Sequence, residues 1–260
     1  MSSLFLKRSL IFVTGSSRGF GKEIVQQFAK KFSESSCFVL ISRSSEALKE
    51  SCDTLKESFL LHEFTSYACD LSKTADVSAL CENISKDFSG KLSQYKSALL
   101  VQNAGTLGQI EKSAVDLDDI GALQEYMCTN ISSYILLNSA FLKLLKPVDY
   151  AELDRWIINI SSICATVPMA SQTEYASIKA AREMALRVLQ IENPKVRTLS
   201  YSPGPLETDM SDELRSKWTQ KEATKSWNYL TCEQSVNKLV VILEENKFEG
   251  ACRIDYFDRN

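Results

Sequence analysis

The sequence has a single histidine, His62, in 260 residues. One imidazole nearly excludes chemistry built on a histidine base, and it excludes multi-histidine metal sites. Only nine glycines and five prolines are present, so collagen-like and low-complexity chains are excluded. Neither sign of charge dominates: 30 Lys+Arg against 33 Asp+Glu give a net charge of −3. That balance argues against a nucleic-acid or membrane-surface partner, since both select a basic face. The apolar runs are strand-sized, so no membrane span is expected. Met1 to Arg8 offers no run long enough for a secretion signal. The eight cysteines never come within four residues of one another, which excludes zinc-ribbon and redox C-x-x-C patterns. They read as reduced thiols acting as small core residues in a cytoplasmic protein, and no metal site is expected.

What is there is an ordinary globular composition, 44% hydrophobic and 24% charged, long enough for a sizeable core. Strands are expected at Leu10–Thr14, Cys37–Ser42, Thr65–Cys69, Ala98–Gln102, Trp156–Ile160, Val196–Tyr201 and Ala251–Tyr256. Several are apolar almost throughout, as in strands buried on both faces. Between them lie helical patterns: Lys22–Phe32, Glu46–Ser58, Ala75–Phe88, Ile120–Leu145, Glu174–Ile191 and Cys232–Glu245. The first carries Ile24, Val25, Phe28, Ala29 and Phe32 on one stripe. Strand–helix alternation implies a doubly wound α/β fold, a parallel sheet of about seven strands with helices on both faces. No linker or repeat interrupts it, so residues 1–260 read as one domain. The polar stretch Met210–Tyr229 breaks the alternation and reads as a substrate-side lid. Its Trp218 and Trp227 either stack on a flat heterocycle or pack locally. His62 falls between a helix and the third strand, away from the chemistry, and reads as a surface or loop residue.

The first strand runs straight into Gly15-Ser16-Ser17-Arg18-Gly19-Phe20-Gly21 and then a helix. Three glycines let the backbone turn tightly and approach a ligand, with N–H groups at a helix N-terminus facing an anion. In that strand–turn–helix context the motif predicts a dinucleotide site of the Rossmann type. The second strand ends Ser42-Arg43-Ser44, with no acid to hold a ribose 2′-hydroxyl. Arg43 and Arg18 are placed instead to clasp a 2′-phosphate, which favours NADP(H) over NAD. Asp70 and Leu71, after the third strand, are placed to contact adenine. Asp70 equally suits the N-cap of the next helix.

Tyr175 and Lys179 form Y-x-x-x-K, two residues on one helix face. A phenol of pKa about 10 is a poor acid–base group at neutral pH, and a neighbouring ammonium lowers it. Ser162, at the end of the fifth strand, is positioned to donate to the same substrate oxygen.

With these residues the sequence resembles the short-chain dehydrogenase/reductase family over its whole length. The matches are Thr14 to Gly21, Asn103-Ala104-Gly105, Asn130, Ser162, Tyr175, Lys179 and Pro203-Gly204, with Gln102 standing where asparagine is common. The resemblance implies that Tyr175 is the general acid in reduction. Lys179 would lower its pKa and hold the nicotinamide ribose. Ser162 would polarise the carbonyl, and Asn130 would support a proton-relay water. Ser17, Phe20, Ser44 and Asn103 would join the cofactor site, and Pro203–Met210, with Leu206, Thr208 and Met210, would lie along the nicotinamide, while Gly204 would contact the substrate. It also implies a homodimer through the helices at Ile120–Leu145 and Glu174–Ile191. The segments 15–21, 159–165, 202–210 and 250–258 are similar, more narrowly, to the branch of the family that reduces sepiapterin-type pterins. There Asp255 would anchor the guanidine-like edge of the pterin, with Asp258 as its competitor. Two alternatives stay open: reduction of other ketones, diketones or quinones, and a non-catalytic nucleotide-sensing protein on the same fold.

Overall fold

The computed structural model describes residues 4–258; Met1, Arg259 and Asn260, which enter the reading of the termini, lie outside the described residues. Seven strands form one parallel sheet: β1 (Ser9–Thr14), β2 (Cys37–Ser42), β3 (Glu63–Ala68), β4 (Ser97–Gln102), β5 (Asp154–Ile160), β6 (Arg197–Ser202) and β7 (Cys252–Asp255). Their order is β3-β2-β1-β4-β5-β6-β7. Every residue of β1 and β4 is buried, because alternate side chains feed two separate cores. Ile11 and Val13 pack under α1 (Gly19–Lys31), α2 (Ser45–Ser58) and α8 (Cys232–Glu245). Leu10 and Phe12 pack under α3 (Thr74–Phe88), α5 (Ser133–Leu145) and α6 (Thr173–Glu192). The order reverses between β1 and β4, which opens a crevice at the carboxyl ends of the strands.

The structure corrects the expected helix Ile120–Leu145. It is two helices, α4 (Ile120–Met127) and α5, joined by a π-helical turn at Cys128–Ser132. The cause is Asn130. Its Nδ2 donates back to the Tyr126 carbonyl at 2.9 Å and to Thr106 Oγ1 at 3.1 Å. Its own carbonyl accepts from the buried Arg182 Nε. Backbone groups diverted in this way favour a bulge over a straight helix.

Residues 210–229 are less irregular than their polarity suggests. They hold most of α7 (Asp209–Lys217) and a 3-10 turn at Lys221–Ser226. Asp209 and Asp212 open α7 and Arg215 and Lys217 close it, so the charges oppose the helix dipole at both ends. His62 lies in a loop, but it is buried rather than on the surface. Its Nδ1 accepts from Ser36 N at 3.2 Å, and its Nε2 donates to the Ala29 carbonyl at 2.9 Å. Burial pushes its pKa below 6.5, so it is a neutral core imidazole.

Candidate active site

The turn after β1 is fixed by side chains as well as by glycine. Gly15 and Gly19 take φ of 66° and 53°, a region that side chains disfavour. Thr14 Oγ1 accepts from the N–H groups of Asn103 and Ala104, each at 3.0 Å. Asn103 Nδ2 donates to the carbonyls of Thr14 and Gly15 at 2.9 and 3.2 Å. The β1 turn and the end of β4 are thereby locked together. Gly21 closes the cradle: a Cβ there would stand 2.2 Å from the Gly15 oxygen.

The surroundings of the expected phosphate clasp are more mixed. Arg18 lines the cleft, and its Nη1 pairs with Asp209 Oδ2 at 2.5 Å, bridging the glycine turn to α7. Arg43 is exposed after β2. Ser17 Oγ bonds Ser42 Oγ at 2.8 Å. Ser44 caps α2 by accepting from Ala47 N at 3.2 Å. Asp70 Oδ1 accepts from Ser72 N and Oγ at 3.1 and 2.9 Å, while Lys73 occupies the N-cap position of α3. Asp70 therefore closes a turn ahead of that helix rather than capping it. Arg43 and Ser44 follow β2, Asp70 and Leu71 follow β3, and all four, with Ser17 of the glycine turn, stand outside the cleft lining.

The cleft itself, of about 540 Å³, collects Gly15, Gly19, Phe20, Gly21, Asn103, Ser162, Tyr175, Lys179, Gly204, Leu206, Thr208, Met210 and Asp255. Tyr175 and Lys179 lie one turn apart on α6. Ser162 opens a 3-10 turn, accepts from Cys164 N at 3.2 Å and lines the cleft together with Tyr175. Lys179 Nζ donates to the Ile160 carbonyl at 2.7 Å and sits 5.4 Å from the Tyr175 ring centre. Burial, helped by Arg182, pushes Lys179 down to about 7. Burial also raises Tyr175 well above the usual phenol range, with Cys164 adding to it. The expected lowering of Tyr175 by Lys179 is therefore overturned in this state. Desolvation of both groups outweighs their mutual effect, because Nζ is turned to a carbonyl.

Asn130 does not line the cleft. Its Oδ1 accepts from Thr106 N at 3.0 Å, and its carbonyl is held by Arg182, whose Nη1 also donates to Ala104 O at 3.0 Å. Arg182 thus braces two loops from beneath the site. Gly108 seats the loop after β4 against Glu174, whose Oε2 would lie 2.4 Å from a Cβ there.

The far wall is largely apolar, with Leu107, Met169, Leu214 and Trp227 in the lining. Trp218 packs behind it and donates Nε1–H to the Ala170 carbonyl at 2.9 Å, its ring 5.8 Å from that of Trp227. Of the two tryptophans, only Trp227 faces the cleft. Asp255 belongs to the lining and Asp258 does not; Asp258 Oδ2 accepts from Asp255 N at 2.7 Å and closes the turn after β7. Sequence reasoning missed Gln172, Arg182, Glu183 and Arg253. No motif marks them. Their one signal is charge or an amide within otherwise core-facing segments.

A profile of the short chain dehydrogenase family matches residues 9–219. The chain is 36% identical to bovine (Bos taurus) sepiapterin reductase over 97% of this chain and 96% of that protein. It is 33% identical to the sepiapterin reductase of Xenopus laevis over 96% and 95% of the two chains. In architecture it is similar to L-sorbose reductase from Gluconobacter frateurii, solved with NADPH and L-sorbose, at a TM-score of 0.77 and 24% identity over 96% of this chain and 95% of that one. The glycine turn, the Ser162–Tyr175–Lys179 cluster and these whole-length matches agree: the chain belongs to the short-chain dehydrogenase family.

Proposed function

We propose that this member of the family is an NADPH-dependent reductase of a pterin side-chain carbonyl, as in the last step towards tetrahydrobiopterin. The observation that carries the reading is Asp255, a carboxylate in the wall of the same cleft as Tyr175 and Ser162. A carboxylate accepts two parallel hydrogen bonds from a 2-amino-pyrimidinone edge. The full-length similarity to sepiapterin reductases supports the same substrate.

The cradle at Gly15, Gly19 and Gly21 fits a dinucleotide, since a side chain at Gly21 would fill the space against the Gly15 carbonyl. Arg18 and Arg43 would hold the 2′-phosphate. When bound, NADPH supplies the hydride for the carbonyl carbon. Ser162 donates to the substrate oxygen and Tyr175 protonates it. Burial raises the Tyr175 phenol and so makes it a weaker acid; a Lys179 ammonium turned to its oxygen would bring it back towards the operating pH. Lys179 steadies the phenol and the ribose. The segment 210–229 closes the substrate side through Met210, Leu214 and Trp227. The protein is read as one cytoplasmic domain. It dimerises through α5 and α6, which expose Ile135, Leu136, Met184 and Val188.

The test is NADPH consumption with sepiapterin beside a panel of simple ketones and diketones. Sepiapterin is expected to be the preferred substrate, with Asp255→Ala removing the preference. No turnover of sepiapterin would hand the site to another ketone.

A further inference from the structure

We propose that Arg253 is a positioning residue for substrate selection. It orients the Asp255 carboxylate and ties it to Glu183 on α6, the helix that carries Tyr175 and Lys179. The inference rests on the reading of Asp255 as the pterin anchor. Arg253 and Asp255 lie two residues apart on β7, so they share a face of the sheet. Across that face Arg253 pairs in register with Ser200, and Ser200 with Asn159. The row continues to Gln102 on β4, whereas Leu100 and Ile157, one step earlier on the same face, are apolar core. At the carboxyl ends of the strands the face is thus a polar seam, with Asn159 Nδ2 donating to Ser200 Oγ at 3.2 Å.

Glu183 stands one turn beyond Lys179 on α6 and is 3% exposed. Its Oε1 accepts from Ser161 Oγ at 2.5 Å. Arg253 places Nε 3.5 Å from that same oxygen and Nη2 3.3 Å from Asp255 Oδ2. One guanidinium therefore meets two carboxylates through different nitrogens, by a hydrogen bond to Asp255 and by an ion pair without a hydrogen bond to Glu183, a geometry that a rigid fork allows and a lysine does not. Arg187 Nη2, 3.5 Å from Glu183 Oε2, partners that acid from the other side.

The consequence falls on Asp255. Its Oδ1 accepts from Phe257 N at 3.1 Å and its Oδ2 faces Arg253. Two contacts on two oxygens fix the plane of the carboxylate, and each oxygen keeps a lone-pair position for a ligand. A guanidine-like edge, with two parallel N–H donors, requires that fixed plane. A small diketone has no such edge and does not. Without Arg253 the carboxylate is held at one oxygen only and turns about its last bond.

The test compares Arg253→Met, Arg253→Lys and Asp255→Asn, each with sepiapterin and with 2,3-butanedione, after NADPH titration has shown that the cleft is intact. In Arg253→Met the ratio of kcat/KM for sepiapterin over butanedione is expected to fall about tenfold, the scale of one charge-assisted contact. The fall should come through KM for sepiapterin, with kcat changed far less. Arg253→Lys should recover part of the ratio, since it restores charge without the fork. Equal losses on both substrates would make Arg253 a merely structural residue and overturn the proposal; so would an unchanged ratio. Should Arg253→Met fail to bind NADPH, Arg253→Lys decides: its ratio must fall, and an unchanged ratio overturns the proposal. An unchanged ratio in Asp255→Asn sinks the anchor reading and the role of Arg253 with it. A lowered ratio in Asp255→Asn with none in the Arg253 variants sinks this inference alone.

Discussion

Gly21→Ala tests whether the glycine turn is held by close packing. A Cβ at this position would lie 2.2 Å from the Gly15 carbonyl oxygen and 2.5 Å from Asn103 Nδ2. Ordinary contact needs about 3.5 Å, so the overlap is about 1 Å. Neither neighbour can yield cheaply. One is backbone, and the other is held by its bonds to the carbonyls of Thr14 and Gly15. Relief means opening the turn and losing those two bonds, about 1 kcal/mol each, on top of about 1–3 kcal/mol of overpacking. Alanine returns at most about 1 kcal/mol through helix propensity. The balance is a loss of about 3 kcal/mol, which lowers Tm by about 6–12 °C for a chain of this size. Because a displacement of about 1 Å in a site costs on the order of 100-fold, NADPH turnover should fall by that factor. Gly90→Ala is the control: nothing lies within 4 Å of a Cβ there, so Tm should hold or rise slightly. Thermal unfolding by circular dichroism and NADPH consumption by absorbance measure the two, and an NADPH fluorescence titration reports the cradle itself. A Gly21→Ala protein that melts and binds like the parent, or a Gly90→Ala protein that falls equally, would refute the reasoning.

Tyr175→Phe removes the proposed proton donor and leaves the ring, so turnover should drop by about 10²–10⁴ while NADPH binding persists; unchanged turnover would end the assignment. Lys179, held near 7 by burial, should appear in the pH profile of kcat/KM: activity declines as pH rises through about 7 and the ammonium is lost. Replacing Lys179 by Met should remove that inflection, and an inflection that stays belongs to another group. Asp209→Asn frees Arg18 from an exposed ion pair. Such pairs are worth at most about 1 kcal/mol, so NADPH should bind up to about fivefold tighter at low salt, with the gain fading as salt is added; weaker binding would show that Asp209 positions Arg18 usefully. His62 has a folded pKa below its unfolded value of about 6.5. The unfolded chain therefore binds more protons below that pH, and stability falls as pH drops from about 6.5 towards the folded value. The gap in Tm between the parent and His62→Gln should narrow over that range, and a constant gap would deny the linkage.

How much of this was legible in the sequence follows from how local each cause is. β1 and β4 were legible because a strand buried on both faces is apolar along its centre, as Leu10–Val13 and Ala98–Val101 are. The pairing of Tyr175 with Lys179 was legible because helix spacing alone puts them on one face. The break in Ile120–Leu145 was not, because it is caused by Thr106 and Arg182, which come from elsewhere in the chain. His62 was misjudged for the same reason: its partners are carried by α1 and the residue before β2. Tyr175 shows the limit most sharply. Its spacing from Lys179 announces a lowered phenol pKa, yet burial raises it, and burial is a property of the whole fold. The discrepancy bears on mechanism. A phenol raised by burial is a weaker acid, so the proposed proton transfer calls for the Lys179 ammonium to leave the Ile160 carbonyl and face the phenol oxygen.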